Sequence, residues 1–157
     1  VTDSSIPQPE FPKLNLPEPP LQIQKSKAQK EYFDIFRSQW LLLTPEEWVR
    51  QHALFWLMSQ SGWPKELISI ERLIPNSRKR MDILAFDRQG KPALLVECKA
   101  FDEEINQETA RQAFQYNQKL ACPFVWLTNG QVHLVYKTES GVYNSIGHLP
   151  DFQQINR

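Results

Sequence analysis

Cysteine is scarce in this chain, and so is anything that would hold a metal through sulfur. The two cysteines, Cys98 and Cys122, each sit inside an apolar run. That excludes a disulfide scaffold and predicts two buried thiols in a reducing compartment. No Cys-x-x-Cys pair and no Cys/His cluster occurs, so structural zinc is not expected. Histidine is equally thin: His52, His133 and His148 lie far apart and read as structural. No apolar run approaches the roughly 20 residues of a membrane helix. The start of the chain is polar, acidic and proline-rich, unlike a signal peptide. A cytoplasmic protein with no membrane partner is expected. An excess of one charge is missing too: 18 basic and 18 acidic residues give a net charge of zero. Dedicated nucleic-acid binders are usually basic. Any DNA contact must therefore rest on a local patch or a metal-neutralised site.

What is present fits a single globular domain. Of the 157 residues, 41% are hydrophobic and 23% charged, enough to bury a core without covalent staples. Six of the 12 prolines fall within residues 1–20. Such a stretch favours extended conformation, and the apolar beads Phe11, Leu14, Leu16 and Leu21 suit an arm lying on a domain. The expected organisation is a proline-rich arm over residues 1–24 and one domain over residues 25–157.

Along that domain, residues 25–38 read as a short helix, with Tyr32, Phe33, Ile35 and Phe36 as its apolar positions. Thr44-Pro45-Glu46-Glu47 is a strong helix start, with an N-cap, a proline in the first turn and a glutamate positioned for a capping box. Ser61-Gly62-Trp63-Pro64 stops that helix. Strands are expected over 67–74, 81–87 and 92–100, then a helix capped by Asp102 or Asn106 and running to about Leu120. Strands over 123–128 and 132–138 follow, joined at Asn129-Gly130, a hairpin turn signal. A short strand near 142–146 ends the pattern. The order predicts an α/β fold with three α/β/α layers around a central mixed sheet.

Charges inside apolar strands carry the functional signal. Leu94-Leu95-Val96-Glu97-Cys98-Lys99-Ala100 places an acid and a base two residues apart, hence on one face. If the preceding turn centres between Gln89 and Gly90, Asp82 lies opposite Glu97, at roughly 5 Å between Cβ atoms. A bulge at the turn would shift that register by one. Two carboxylates so close repel, and a divalent ion relieves the repulsion. Mg²⁺ suits one or two carboxylates, several waters and a phosphate oxygen. Asp82 and Glu97 are thus the candidate metal ligands, for Mg²⁺ or Mn²⁺, and Lys99 the candidate group to orient or deprotonate a water. The opposing interpretation is a buried ion pair that merely fixes the sheet.

Asp82 followed by Glu97-Cys98-Lys99 resembles the PD-(D/E)xK nuclease superfamily, with Met81 where its name has proline. Four blocks together resemble the N-terminal nuclease domain of type I restriction enzyme R subunits: Thr44 to Gln51, Arg80 to Leu84, Gly90 to Ala100, and Leu127-Thr128-Asn129-Gly130. The resemblance spans about residues 40–137. It implies a restriction-endonuclease-like fold and metal-dependent hydrolysis of DNA phosphodiesters, with DNA and other restriction or repair subunits as partners, or a homodimer. The family's Gln-x-x-x-Tyr motif falls on Gln112 and Tyr116, either facing the site or packing locally. A superfamily glutamate from the preceding helix would be Glu47, which the capping box alone also explains; Glu46 reads as serving the helix dipole. Glu71 is a further acidic neighbour, or a partner for the 78–80 cluster. Arg78, Lys79 and Arg80 form a basic cluster suited to a DNA phosphate, or a solvated loop. No Gly-x-x-x-x-Gly-Lys-Ser/Thr phosphate loop occurs, so a free-standing nuclease-like domain is expected. The competing expectations are a catalytically silent nuclease fold that binds DNA or protein, and a dimerising structural protein.

Overall fold

A computed structural model describes residues 11–157. Within them the elements run β1 (Ile23–Ser26), β2 (Gln29–Asp34), β3 (Gln39–Leu42), α1 (Pro45–Ser59), β4 (Ile68–Leu73), β5 (Arg80–Phe86), β6 (Pro92–Cys98), α2 (Gln107–Leu120), β7 (Phe124–Thr128), β8 (His133–Glu139), β9 (Val142–Ile146) and α3 (Phe152–Ile155). Strands β4 to β9 form one sheet in sequential order. Among the described strands only β6 and β7 pair in parallel, because α2 carries the chain back between them. The sheet is therefore mixed, as expected.

The two long helices cover opposite faces. Trp48, Val49, Ala53, Leu54 and Leu57 of α1 pack into one core with Ile83, Ala85, Leu94, Val96 and Trp126. Ala113, Ala110 and Phe114 of α2 pack into another with Leu84, Leu95, Val125 and Leu127. Successive residues of β5 and β6 alternate between these cores, so both strands are apolar on both faces. The result is the three-layer α/β/α arrangement. Both helix starts are fixed locally. The Thr44 hydroxyl accepts the Glu47 N–H at 3.1 Å, and Asn106 forms a capping box with Thr109. Among the described residues no helix is long and apolar enough to cross a membrane.

The β5–β6 register settles the hairpin arithmetic. Ile83 pairs with Val96, Leu84 with Leu95 and Ala85 with Leu94. One further step along the same register brings Asp82 level with Glu97. The turn itself is centred one step differently from the expectation, since Phe86 pairs with Pro92, and the register shift between Ala85 and Phe86 restores the alignment of Asp82 with Glu97.

Residues 25–38 correct the sequence expectation. They form no helix but most of a second, three-stranded antiparallel sheet, β1-β2-β3. Lys27 (φ 49°) and Ala28 (φ 64°) make a left-handed two-residue turn, the shape that matches strand twist. Asp34 then ends β2 by accepting the N–H groups of Phe36 and Arg37 at 2.8 and 2.9 Å. Tyr32 and Asp34 point inward with period two, which a helical reading of Tyr32, Phe33, Ile35 and Phe36 hides.

The stretch expected as an arm over 1–24 is described only from Phe11, and its residues 1–10 lie outside the described residues. From Phe11 to Gln22 it has no helix or strand, and β1 begins before residue 24. It crosses the domain: Trp48 Nε1 donates to the Pro12 carbonyl at 2.9 Å, and Asn15 N donates to the Gly130 carbonyl at 2.8 Å. Leu14 is buried directly over Gly130, where an added Cβ would stand 2.7 Å from a Leu14 methyl. With φ at +85°, Gly130 meets both demands. The loop there spans 129–132, one residue more than the expected strand limits leave, since β7 and β8 close at Thr128 and His133.

Candidate active site

A cleft of about 330 Å³ opens where the first turn of α1 and the first half of α2 meet the ends of β5 and β6. Its walls are Asp82, Glu97, Lys99, Glu46, Lys79 and Arg80, together with Thr109, Gln112, Ala113 and Tyr116 from one stripe of α2. Of the residues singled out from sequence, Asp82, Glu97, Lys99, Lys79, Arg80, Gln112 and Tyr116 come together here. Glu47 and Arg78 do not line it.

Asp82 is held at both oxygens. Oδ1 accepts Arg50 Nη2 at 2.9 Å, and Oδ2 accepts the Cys98 N–H at 2.8 Å. A carboxylate has about four lone-pair sites, so Asp82 is oriented without being saturated. Glu97 is in the opposite condition. Burial pushes its carboxyl well above the usual range, with the Asp82 charge adding to the effect. Its Oε1 is buried with no hydrogen-bond partner. Glu46 extends the acidic wall, its carboxyl pushed up to about 7 by burial first and the Asp82 charge second. Lys79 places its ammonium 5.7 Å from the centre of the Tyr116 ring. Arg80 donates to the Glu71 carbonyl at 2.7 Å, and Gln112 reaches Glu108 at 3.4 Å. Cys98 is a buried core thiol whose pKa burial raises far from reactivity.

Two residues that sequence reasoning passed over shape this site. Glu46, read as a dipole partner, faces the cleft, while Glu47 faces the other way toward Tyr32, Arg37 and Arg50. Arg50 is buried and meets Glu47 at 2.9 Å, Glu71 at 2.5 Å, Asp82 at 2.9 Å and Glu46 at 3.6 Å. Burial opposes its charge, and the Glu47, Asp82 and Glu71 carboxylates more than offset that. The available signal was its spacing: Arg50 follows Glu46 and Glu47 by four and three residues on a helix otherwise apolar on that side.

Among the described residues no three or more His, Cys, Asp or Glu are arranged as a ready-made metal cage. The donor chemistry nevertheless fits a hard divalent cation. Glu46, Asp82 and Glu97 are oxygen donors crowded enough to repel, and one Glu97 oxygen lacks any partner.

A family model described as "Type I restriction enzyme R protein N terminus" matches residues 45–150. The chain belongs to that family. The fold agrees: a solved fragment assigned as an HsdR subunit of a type I restriction enzyme from Vibrio vulnificus YJ016 superposes with a TM-score of 0.55 at 21% identity. The match covers 72% of this chain and 24% of that one, so this chain spans about a quarter of the solved fragment. No curated protein matches. The cleft of this R-protein N-terminal domain falls wholly within the matched residues. The three-stranded sheet precedes them.

Proposed function

We propose that this domain is a metal-dependent deoxyribonuclease of the restriction-endonuclease-like kind. The observation that carries the reading is the buried acidic pair, Asp82 oriented and Glu97 with its Oε1 unpartnered, in a cleft that also presents Lys99. Asp82 and Glu97 would hold Mg²⁺ or Mn²⁺, with the Glu46 carboxylate beside them on the cleft wall. Such an ion supplies Lewis acidity for phosphodiester hydrolysis. Lys99, two residues from Glu97 on the same face, orients the attacking water and offsets the negative charge that develops on the phosphate. Lys79 and Arg80 at the cleft wall, with Arg78 beside them, hold the DNA backbone, which a chain of zero net charge must do locally. Gln112 and Tyr116 form the α2 wall along which that backbone would lie. Glu47 acts behind the cleft, through Arg50. By family, other subunits of a restriction enzyme are the partners that deliver DNA.

A second reading has one observation behind it. Arg50 already supplies a positive charge to Asp82, which suits a silent nuclease fold that binds DNA or protein. Incubation with supercoiled plasmid, linear duplex and single-stranded DNA separates the two, using Mg²⁺, Mn²⁺ or EDTA beside Lys99→Ala. Metal-dependent cutting lost in the variant supports the enzyme. DNA retention without cutting, and without metal binding by calorimetry, supports the silent fold.

A further inference from the structure

Arg50 joins the cleft to a sheet that lies outside the family-matched residues. Its Nη1 is anchored by Glu47 and Glu71, and its Nη2 presents to Asp82 Oδ1 and toward Glu46. Glu47 is in turn fixed by the Tyr32 hydroxyl at 2.9 Å and by Arg37 Nη2 at 3.2 Å. Arg37 is held by Asp34 Oδ2 through Nε and Nη2 at 2.9 and 2.7 Å. Charges alternate along the whole path, Asp34, Arg37, Glu47, Arg50, Asp82. Tyr32, Asp34 and Arg37 do not line the cleft.

We propose that Arg50 is a positioning residue for the cleft carboxylates, and that the N-terminal sheet sets its position; this rests on the metal-dependent reading above. A guanidinium is planar, so fixing Nη1 fixes where Nη2 points. Arg50 Nε is buried without a partner, so the two ends of the fork, not the satisfaction of every donor, dictate where the side chain lies. With the Cys98 N–H on its other oxygen, Asp82 is fixed at both oxygens in the cleft it shares with Glu97. A lysine ammonium is a single point charge and cannot span Glu47 and Asp82 with the same rigid geometry.

The test is Mn²⁺ affinity by titration calorimetry, with the unfolding temperature recorded without metal, for the full chain, Arg50→Lys and Arg37→Ala. Groups that orient a metal's ligands typically change its affinity about 10- to 100-fold. Arg50→Lys is expected to weaken Mn²⁺ binding about 10-fold or more, and Arg37→Ala by several-fold, at a temperature where each variant is folded. In cleavage assays the metal concentration needed for half-maximal rate rises in both, and the rate at saturating metal recovers. Destabilisation alone would lower the unfolding temperature without moving either metal readout. Affinity unchanged in both variants overturns the proposal, as does tighter binding, which would make Arg50 a competitor for the site. If Arg50→Lys does not fold, Arg37→Ala decides in the same way. A wild-type chain that binds no Mn²⁺ overturns the nuclease reading and this one together, whereas wild-type binding with unaltered variants overturns only the positioning role.

Discussion

Arg50 has acids on two sides, and the sides differ in how well they are matched. On the side of the small sheet, Asp34 accepts two backbone N–H groups and two guanidinium nitrogens of Arg37, while Glu47 accepts from Tyr32, Arg37 and Arg50. The effect shows in Asp34: burial alone would raise its pKa, but the Arg37 backbone and side chain bring it below its ordinary value. On the cleft side Glu46 and Glu97 are raised by burial and by Asp82, and Glu97 keeps an oxygen without a partner. The two clusters share one arginine. The matched side holds the fold together. On the cleft side the crowded carboxylates repel, and a divalent ion would relieve that repulsion.

That contrast can be broken from either side. The largest effect is expected at Lys99: Lys99→Ala should reduce metal-dependent plasmid cleavage by about 10³-fold with an unchanged circular dichroism spectrum. An equal rate would remove Lys99 from the chemistry. Next comes Asp34→Ala. It strands the Arg37 guanidinium behind a buried network and should lower the unfolding free energy by about 3 kcal/mol in urea titrations without metal. Glu97→Gln should act in the opposite direction. By removing one of two crowded buried charges, it should raise metal-free stability by about 1 kcal/mol while abolishing metal binding. Loss of stability there would mean that the cleft side is matched after all.

The smallest effect lies in pH. Glu46 titrates near 7 in the folded chain against 4.5 ordinarily. Between those values the folded state holds the extra proton, so metal-free stability falls as pH rises through that window. Glu46→Gln should flatten this slope in thermal unfolding measured from pH 4.5 to 7. Asp34 works the other way: its pKa is lowered from 3.8, so its contribution is present above that value and is lost only as pH falls below it.

Most of the central fold was legible in the sequence because its signals are local. Thr44-Pro45 and Asn106 cap the two helices, and the apolar runs around Leu84, Leu95 and Val125 leave little choice but buried strands. The alignment of Asp82 with Glu97 agrees with the count across one hairpin, but a register shift between Ala85 and Phe86, which the count did not include, is what restores it. The small sheet was not legible. Its turn uses Lys27 and Ala28 rather than Asn-Gly, and Phe33 beside Ile35 and Phe36 imitates a helical face. Glu46 and Glu47 could not be told apart in direction, since adjacent residues at a helix start differ only by rotation about its axis. What turned Glu47 away was a partner, Tyr32, that sequence spacing does not reveal.

The single parallel pair also sets an order of events. Asp82 and Glu97 lie on one hairpin and meet through a short local closure, on a scale of about 1–10 μs for such a unit. Tyr116 and Gln112 reach the same place only after α2 completes the crossover from β6 to β7, a longer-range closure that delays contact. A refolding chain is therefore expected to bring its two acids together before the α2 side of the cleft is in place. At that stage the acids face water, where their mutual repulsion is weak. Their repulsion is expected to strengthen as α1 and α2 dock and water leaves.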